Sequence, residues 1–136
     1  MEVTGRLIVK LWASSSAVDT DFTAKLVDVY PASADFPAGF DLNVGDSIVR
    51  ARYRDSLATA TPMKPGHVYP FTIELYPTSL VFKKGHRIRL DIQPRDGIGS
   101  APYTHYAADY NSGTNTIFAG GARASYLLLP VIPRRA

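Results

Sequence analysis

Apolar side chains recur at every second position along most of this chain, and that rhythm restricts what it can fold into. Leu7, Val9 and Leu11 form one such row, and Phe22, Ala24 and Leu26 a second. Tyr69, Phe71, Ile73 and Leu75 form a third, and Ile88, Leu90 and Ile92 a fourth. Successive side chains of a strand point to opposite faces, so each row marks a half-buried strand. The pattern predicts strands over 6–13, 22–30, 48–54, 68–76, 80–82, 86–92, 116–118 and 125–131. Between them stand turn-forming clusters such as SSSAVDTD, ASADFPAGFDLNVGD and TPMKPGH, rich in residues that bond or bend their own backbone. No amphipathic helix exceeds two turns. Short strands punctuated by Gly and Pro over the whole length point to an all-β fold, an antiparallel sandwich or barrel. No linker or repeat divides residues 1–136, which have the length of one domain.

Composition narrows the chemistry. The chain has no cysteine, which removes disulfides, thiolate metal sites and cysteine nucleophiles together. Its net charge of +3 comes from fifteen basic and twelve acidic residues that are interleaved, unlike a nucleic-acid-binding patch. Arg50, Arg52 and Arg54 have period two, so they read as the solvated face of a strand whose other face carries Val49, Ala51 and Tyr53. No window approaches the roughly 18 apolar residues that span a bilayer. The start, MEVTGRLIVK, lacks the features of a signal peptide, so a soluble, cytoplasmic chain is expected.

Acid–base catalysis would have to draw on His67, His86 or His105. His86 lies in FKKGHRIRLDI and shares the parity of Ile88, so its ring begins an inward row beside a turn, a structural place. The nucleophile elbow G-x-S-x-G is missing; Gly97-Ile98-Gly99-Ser100-Ala101 has its serine one place late. Asp19 and Asp21 share one side of an extended segment, but an EF-hand loop does not follow. The histidines form no H-x-H or H-x-x-x-H pair, and no phosphate-cradling glycine loop occurs. No catalytic residue, metal site or cofactor is therefore assigned. From Gln93 to Asn115 the alternation stops, and long connections of this kind often carry function. Arg95, Asp96, Tyr103, His105, Tyr106, Asp109, Tyr110 and Asn111 gather there. Their rings and hydrogen-bonding groups suit three roles: tying the loop to the sandwich, docking another domain, or holding a small ligand such as a sugar.

Several blocks taken in order carry a family resemblance. They are Val3-Thr4-Gly5, then DTDFTAKLVDVYP from Asp19 to Pro31, then IVRARYR from Ile48 to Arg54. FKKGHRIRLDI from Phe82 and SYLLLPVIP from Ser125 complete the set. Together they resemble the C-terminal domain of the X-Pro dipeptidyl-peptidase and cocaine-esterase-like hydrolases. The resemblance implies a jelly-roll β-sandwich of the galactose-binding-domain-like type, attached behind an α/β-hydrolase domain that holds the nucleophilic serine, aspartate and histidine. It implies a non-catalytic accessory role, packing on that domain and shaping the active-site entrance, with no cofactor. The family domain normally begins upstream of Val3, so truncation on the N-terminal side is expected, leaving a sheet edge through which copies could pair. Gln93-Pro94-Arg95-Asp96-Gly97 departs from the Ser-rich, Asn-containing loop of many relatives, which leaves the substrate open. A freestanding carbohydrate-binding sandwich is the alternative.

Overall fold

A computed structural model describes residues 1–93 and 113–133 of the chain. Among these residues eight strands form two antiparallel sheets: β1 (Glu2–Ser15), β2 (Asp21–Tyr30), β3 (Phe40–Arg50), β4 (Tyr69–Val81), β5 (Arg87–Gln93), β6 (Asn115–Phe118), β7 (Tyr126–Leu128) and β8 (Val131–Ile132). β1 is the spine of the larger sheet. β4 pairs along nearly all of one edge, from Glu2 opposite Val81 to Ala13 opposite Tyr69. The other edge is shared by three short strands in tandem: β8 against Glu2 and Val3, β7 against Ile8 to Lys10, and β6 against Trp12 to Ser15. The smaller sheet runs β3-β2-β5. This is the all-β sandwich expected from the alternation.

The inward rows meet between the sheets. Val3, Leu7, Val9, Leu11 and Ala13 of β1 join Phe71, Ile73 and Leu75 of β4, and all are buried. Phe22, Ala24 and Leu26 of β2 close the core from the other side. Phe22 and Phe71 touch across the gap with ring centroids 4.9 Å apart, a tilted geometry that suits aromatic quadrupoles. Each such ring contributes about 1.5–3 kcal/mol by leaving water. Leu90 and Ile92 of β5 pack against this core, while Ile88 remains 42% exposed at the end of the sandwich.

The strand boundaries differ from the sequence reading in instructive ways. β3 begins at Phe40, inside the stretch expected to be a connection, and pairs with β2 from Tyr30 opposite Phe40 onward. Its alternation is hidden because the register shifts between Leu26 and Val27, inserting an extra residue near Val44. The third strand also ends at Arg50, since Ala51–Tyr53 close into a 3-10 turn. β4 runs through Pro77 and absorbs the separate strand expected over 80–82. Proline is tolerated there because β4 lies on the edge of its sheet.

The β2–β3 connection depends on Gly39. Its φ is +76°, and a Cβ built there would stand 2.7 Å from the Tyr30 carbonyl oxygen. Gly39→Ala is expected to lose about 1–3 kcal/mol in urea unfolding, from the left-handed backbone and the displaced carbonyl. An unchanged midpoint would show that the connection relaxes freely.

Candidate interdomain site

The sequence draws attention to the segment after β5, and the described residues place both of its anchors at one end of the sandwich. Gln93 ends β5 opposite Thr23, whose hydroxyl donates to the Gln93 carbonyl at 3.3 Å. On the return side, Ser16 N donates to the Thr114 carbonyl at 3.0 Å, and Thr114 N donates to Ser16 Oγ at 2.9 Å. Asn115 Nδ2 donates to Thr20 Oγ1 at 3.1 Å. The return anchor therefore grips the turn between β1 and β2, and the departing one is held by β2. Arg95, Asp96, Tyr103, His105, Tyr106, Asp109, Tyr110 and Asn111 themselves lie outside the described residues.

That same end is organised by a buried carboxylate. Asp19 is 4% exposed and precedes β2, just beyond the last β2–β3 pair, Asp21 opposite Arg50. Ala51 N donates to the Thr20 carbonyl at 2.8 Å, carrying the ladder one step further. The chain then folds into its 3-10 turn, which aims two guanidinium groups back at Asp19. Arg50 Nε donates to Asp19 Oδ2 at 2.9 Å, and Arg52 N donates to Asp19 Oδ1 at 2.9 Å. Arg52 Nε also donates to Oδ2, at 2.5 Å. Arg54 lies 4.2 Å from the Tyr69 ring centroid and donates to the Ala51 and Thr61 carbonyls at 3.0 and 2.6 Å.

The three arginines are therefore not a solvated strand face, as their spacing had suggested. The turn at Ala51 breaks the strand, so Arg50 and Arg52 meet on Asp19 while Arg54 packs on Tyr69. Nor does Asp19 serve as a cation ligand, because guanidinium and amide donors take both of its oxygens. Among the described residues no group of three or more His, Asp or Glu side chains is placed to hold a metal ion.

His86 lies at the opposite end of the smaller sheet. His86 Nδ1 stands 2.9 Å from Asp28 Oδ1, and the protonated Nδ1 is the donor a carboxylate can meet. The His86 side chain is 8% exposed and that of Asp28 is 1% exposed. The imidazole lies against Tyr30, ring centroids 4.2 Å apart. The histidine therefore sits at the rim of the core, hydrogen-bonded to a buried carboxyl group. Asp28 went unnoticed in the sequence, although it continues the inward row Phe22, Ala24, Leu26. Asp28 Oδ2 is buried with no hydrogen-bond partner among the described residues.

Beside His86 an open cleft of about 580 Å³ is lined by Tyr30, Pro31, Gly39, Phe40, Arg87 and Arg89, among others. Arg89 is held by Asp41 at 2.8 Å and Asp91 at 3.0 Å. Those bonds, to Asp41 first and Asp91 second, raise its pKa and keep its charge in place. The cleft is a salt-bridged surface rather than an enclosed binding site.

Residues 1–128 match the family described as the X-Pro dipeptidyl-peptidase C-terminal non-catalytic domain. This chain belongs to that family. Cocaine esterase from Rhodococcus sp. (strain MB1 Bresler) is 38% identical over 148 residues, spanning 98% of this chain and 24% of the esterase. An α-amino acid ester hydrolase structure superposes with a TM-score of 0.83 and 31% identity, over 96% of this chain and 23% of that one. An aminopeptidase from a marine sediment archaeon, Thaumarchaeota archaeon, gives a TM-score of 0.83 at 26% identity, over 97% and 24% of the two chains. The chain thus spans about a quarter of the length of the relatives it matches. As an X-Pro dipeptidyl-peptidase C-terminal domain it is a β-sandwich whose polar clusters, Asp19 with its arginines and Asp28 with His86, fasten strand ends. No helix among the described residues is long and apolar enough to cross a membrane.

Proposed function

We propose that this chain is the accessory C-terminal domain of a serine hydrolase acting on esters, amides or prolyl peptides. In this reading it packs on the α/β-hydrolase domain and forms one wall of the active-site entrance. The observation that carries it is the family match, to a domain described as non-catalytic, in proteins four times as long that are named as esterases, ester hydrolases or aminopeptidases. The parent enzyme would attack a carbonyl with its serine and hold the oxyanion with backbone amides, all outside these residues. The segment from Arg95 to Asn111 is the expected contact at the entrance. Its anchors are tied to the β1–β2 turn and to β2, which supports it at both ends.

The test is turnover of p-nitrophenyl acetate. The purified chain is expected to hydrolyse it no faster than buffer. The full-length hydrolase carrying this domain is expected to turn it over and to lose that activity when the domain is deleted. Turnover by the chain itself, abolished by His105→Ala and retained by His86→Ala, would instead make it an independent esterase.

A further inference from the structure

The two outer faces of this sandwich differ in chemistry. The smaller sheet presents charge: Lys25 lies in register with Asp46 and Asp91, and Arg89 binds Asp41 and Asp91. The larger sheet presents an apolar stripe where β6 and β7 pair with β1. Trp12 stands opposite Phe118, and Ile8 opposite Leu128, so these four point away from the core on one face. Tyr126, opposite Lys10, joins them between the two pairs. Leu128 is 48% and Tyr126 51% exposed, while Ile8, Trp12 and Phe118 are half-buried. The cations of this face turn aside: Lys10 Nζ donates to Thr72 of β4 at 2.8 Å, and Arg6 pairs with Glu74 of β4 at 2.9 Å. What remains is a contiguous apolar strip with a polar border, the composition of an interface core and its rim.

We propose that this strip is the seat of the polypeptide that precedes the domain in its parent hydrolase, an inference that rests on the accessory-domain reading above. Three observations favour that occupant. The family domain is C-terminal, and about three quarters of each relative lies outside the part matched here. β1, the first of the described strands, is also the central strand of the sheet that carries the strip. The strip also begins at β6, the strand into which the segment 94–112 returns, so it continues from the expected contact at the entrance. The charged outer face of the smaller sheet offers no comparable apolar area.

Hydroxyl-radical footprinting read by mass spectrometry tests this, on the 136-residue chain and on the full-length hydrolase. Trp12, the single tryptophan of the chain, Phe118 and Tyr126 are expected to label in the isolated chain and to lose most of that label in the hydrolase. A second measurement does not depend on the isolated chain. Within the hydrolase, Leu128→Glu is expected to lower the thermal midpoint and restore label at Trp12, while Ile48→Glu, on the charged face and equally exposed, does neither. Protection of other surfaces with the strip still labelled overturns the assignment and leaves the accessory-domain reading standing. Protection nowhere, with both glutamate variants silent, overturns that reading as well. Concentration-dependent protection in the isolated chain would make a second copy the occupant and overturn the proposal.

Discussion

His86→Ala is expected to destabilise the chain by about 3–5 kcal/mol, because it strands a buried carboxylate. Asp28 is fully buried, and its contact with His86 is the one hydrogen bond its carboxylate makes among the described residues. Removing the imidazole leaves both oxygens unpaired in the core, and an uncompensated buried charge costs far more than the lost attraction. The ring also packs on Tyr30, so truncation opens space at the end of the sandwich as well. His86→Asn keeps a donor near the position of Nδ1 and should lose only about 1–2 kcal/mol, the scale of a strained hydrogen bond and lost packing. Adding Asp28→Asn to His86→Ala removes the charge and should recover part of the loss. Urea midpoints at constant m-value measure all three. If His86→Ala unfolds within about 0.5 kcal/mol of the unaltered chain, as an ordinary surface substitution would, the buried pair is not a fastening.

Both halves of that pair are written in the sequence, although only one is easily seen there. Phe22, Ala24, Leu26 and Asp28 share one parity, as do His86, Ile88, Leu90 and Ile92, and the two rows lie on neighbouring strands. A titratable residue at the end of each inward row signals that they meet. The strand spacing gives His86 its place; finding Asp28 requires knowing that β5 pairs with β2, which periodicity does not supply. The fold class follows from alternation because one buried face per strand imposes period two. What period two cannot reveal is where it is interrupted. The extra residue in β3 disguised Phe40–Gly45 as a loop, and the turn at Ala51 ended a strand whose sequence continues to alternate. Pro77 falls between the strands expected over 68–76 and 80–82, and nothing local says that β4 is an edge that tolerates it. The apolar strip over β6 and β7 was also out of reach. Its members come from residues 8, 12, 118, 126 and 128, brought onto one face by pairing across more than 100 positions.

The second large effect is expected at the other end of the smaller sheet, where Asp19→Ala should cost about 3–5 kcal/mol. Asp19 is nearly buried, and it receives the Arg50 and Arg52 side chains together with the Arg52 amide. The guanidinium groups are themselves mostly covered, with side-chain exposures of 23% and 25%. Without the carboxylate the two guanidinium groups lose the acceptor they share, and the 3-10 turn loses the acceptor for its own backbone. Asp19→Asn retains acceptor geometry without charge and should fall between the alanine variant and the unaltered chain. Arg54, held by the Ala51 and Thr61 carbonyls and by Tyr69, provides a contrast, since it leans on this turn and not on Asp19. Both anchors of the segment 94–112 abut the same corner, through Thr23 and through Ser16 and Thr20. Asp19→Ala should therefore speed amide exchange at Ser16 and Thr114, whose bonds tie the β1–β2 turn to the start of β6, more than at Val9 in the centre of β1. A uniform change across the sandwich would mean that Asp19 sets global stability alone, and the corner would not be an independent fastening for the segment expected to meet the catalytic domain.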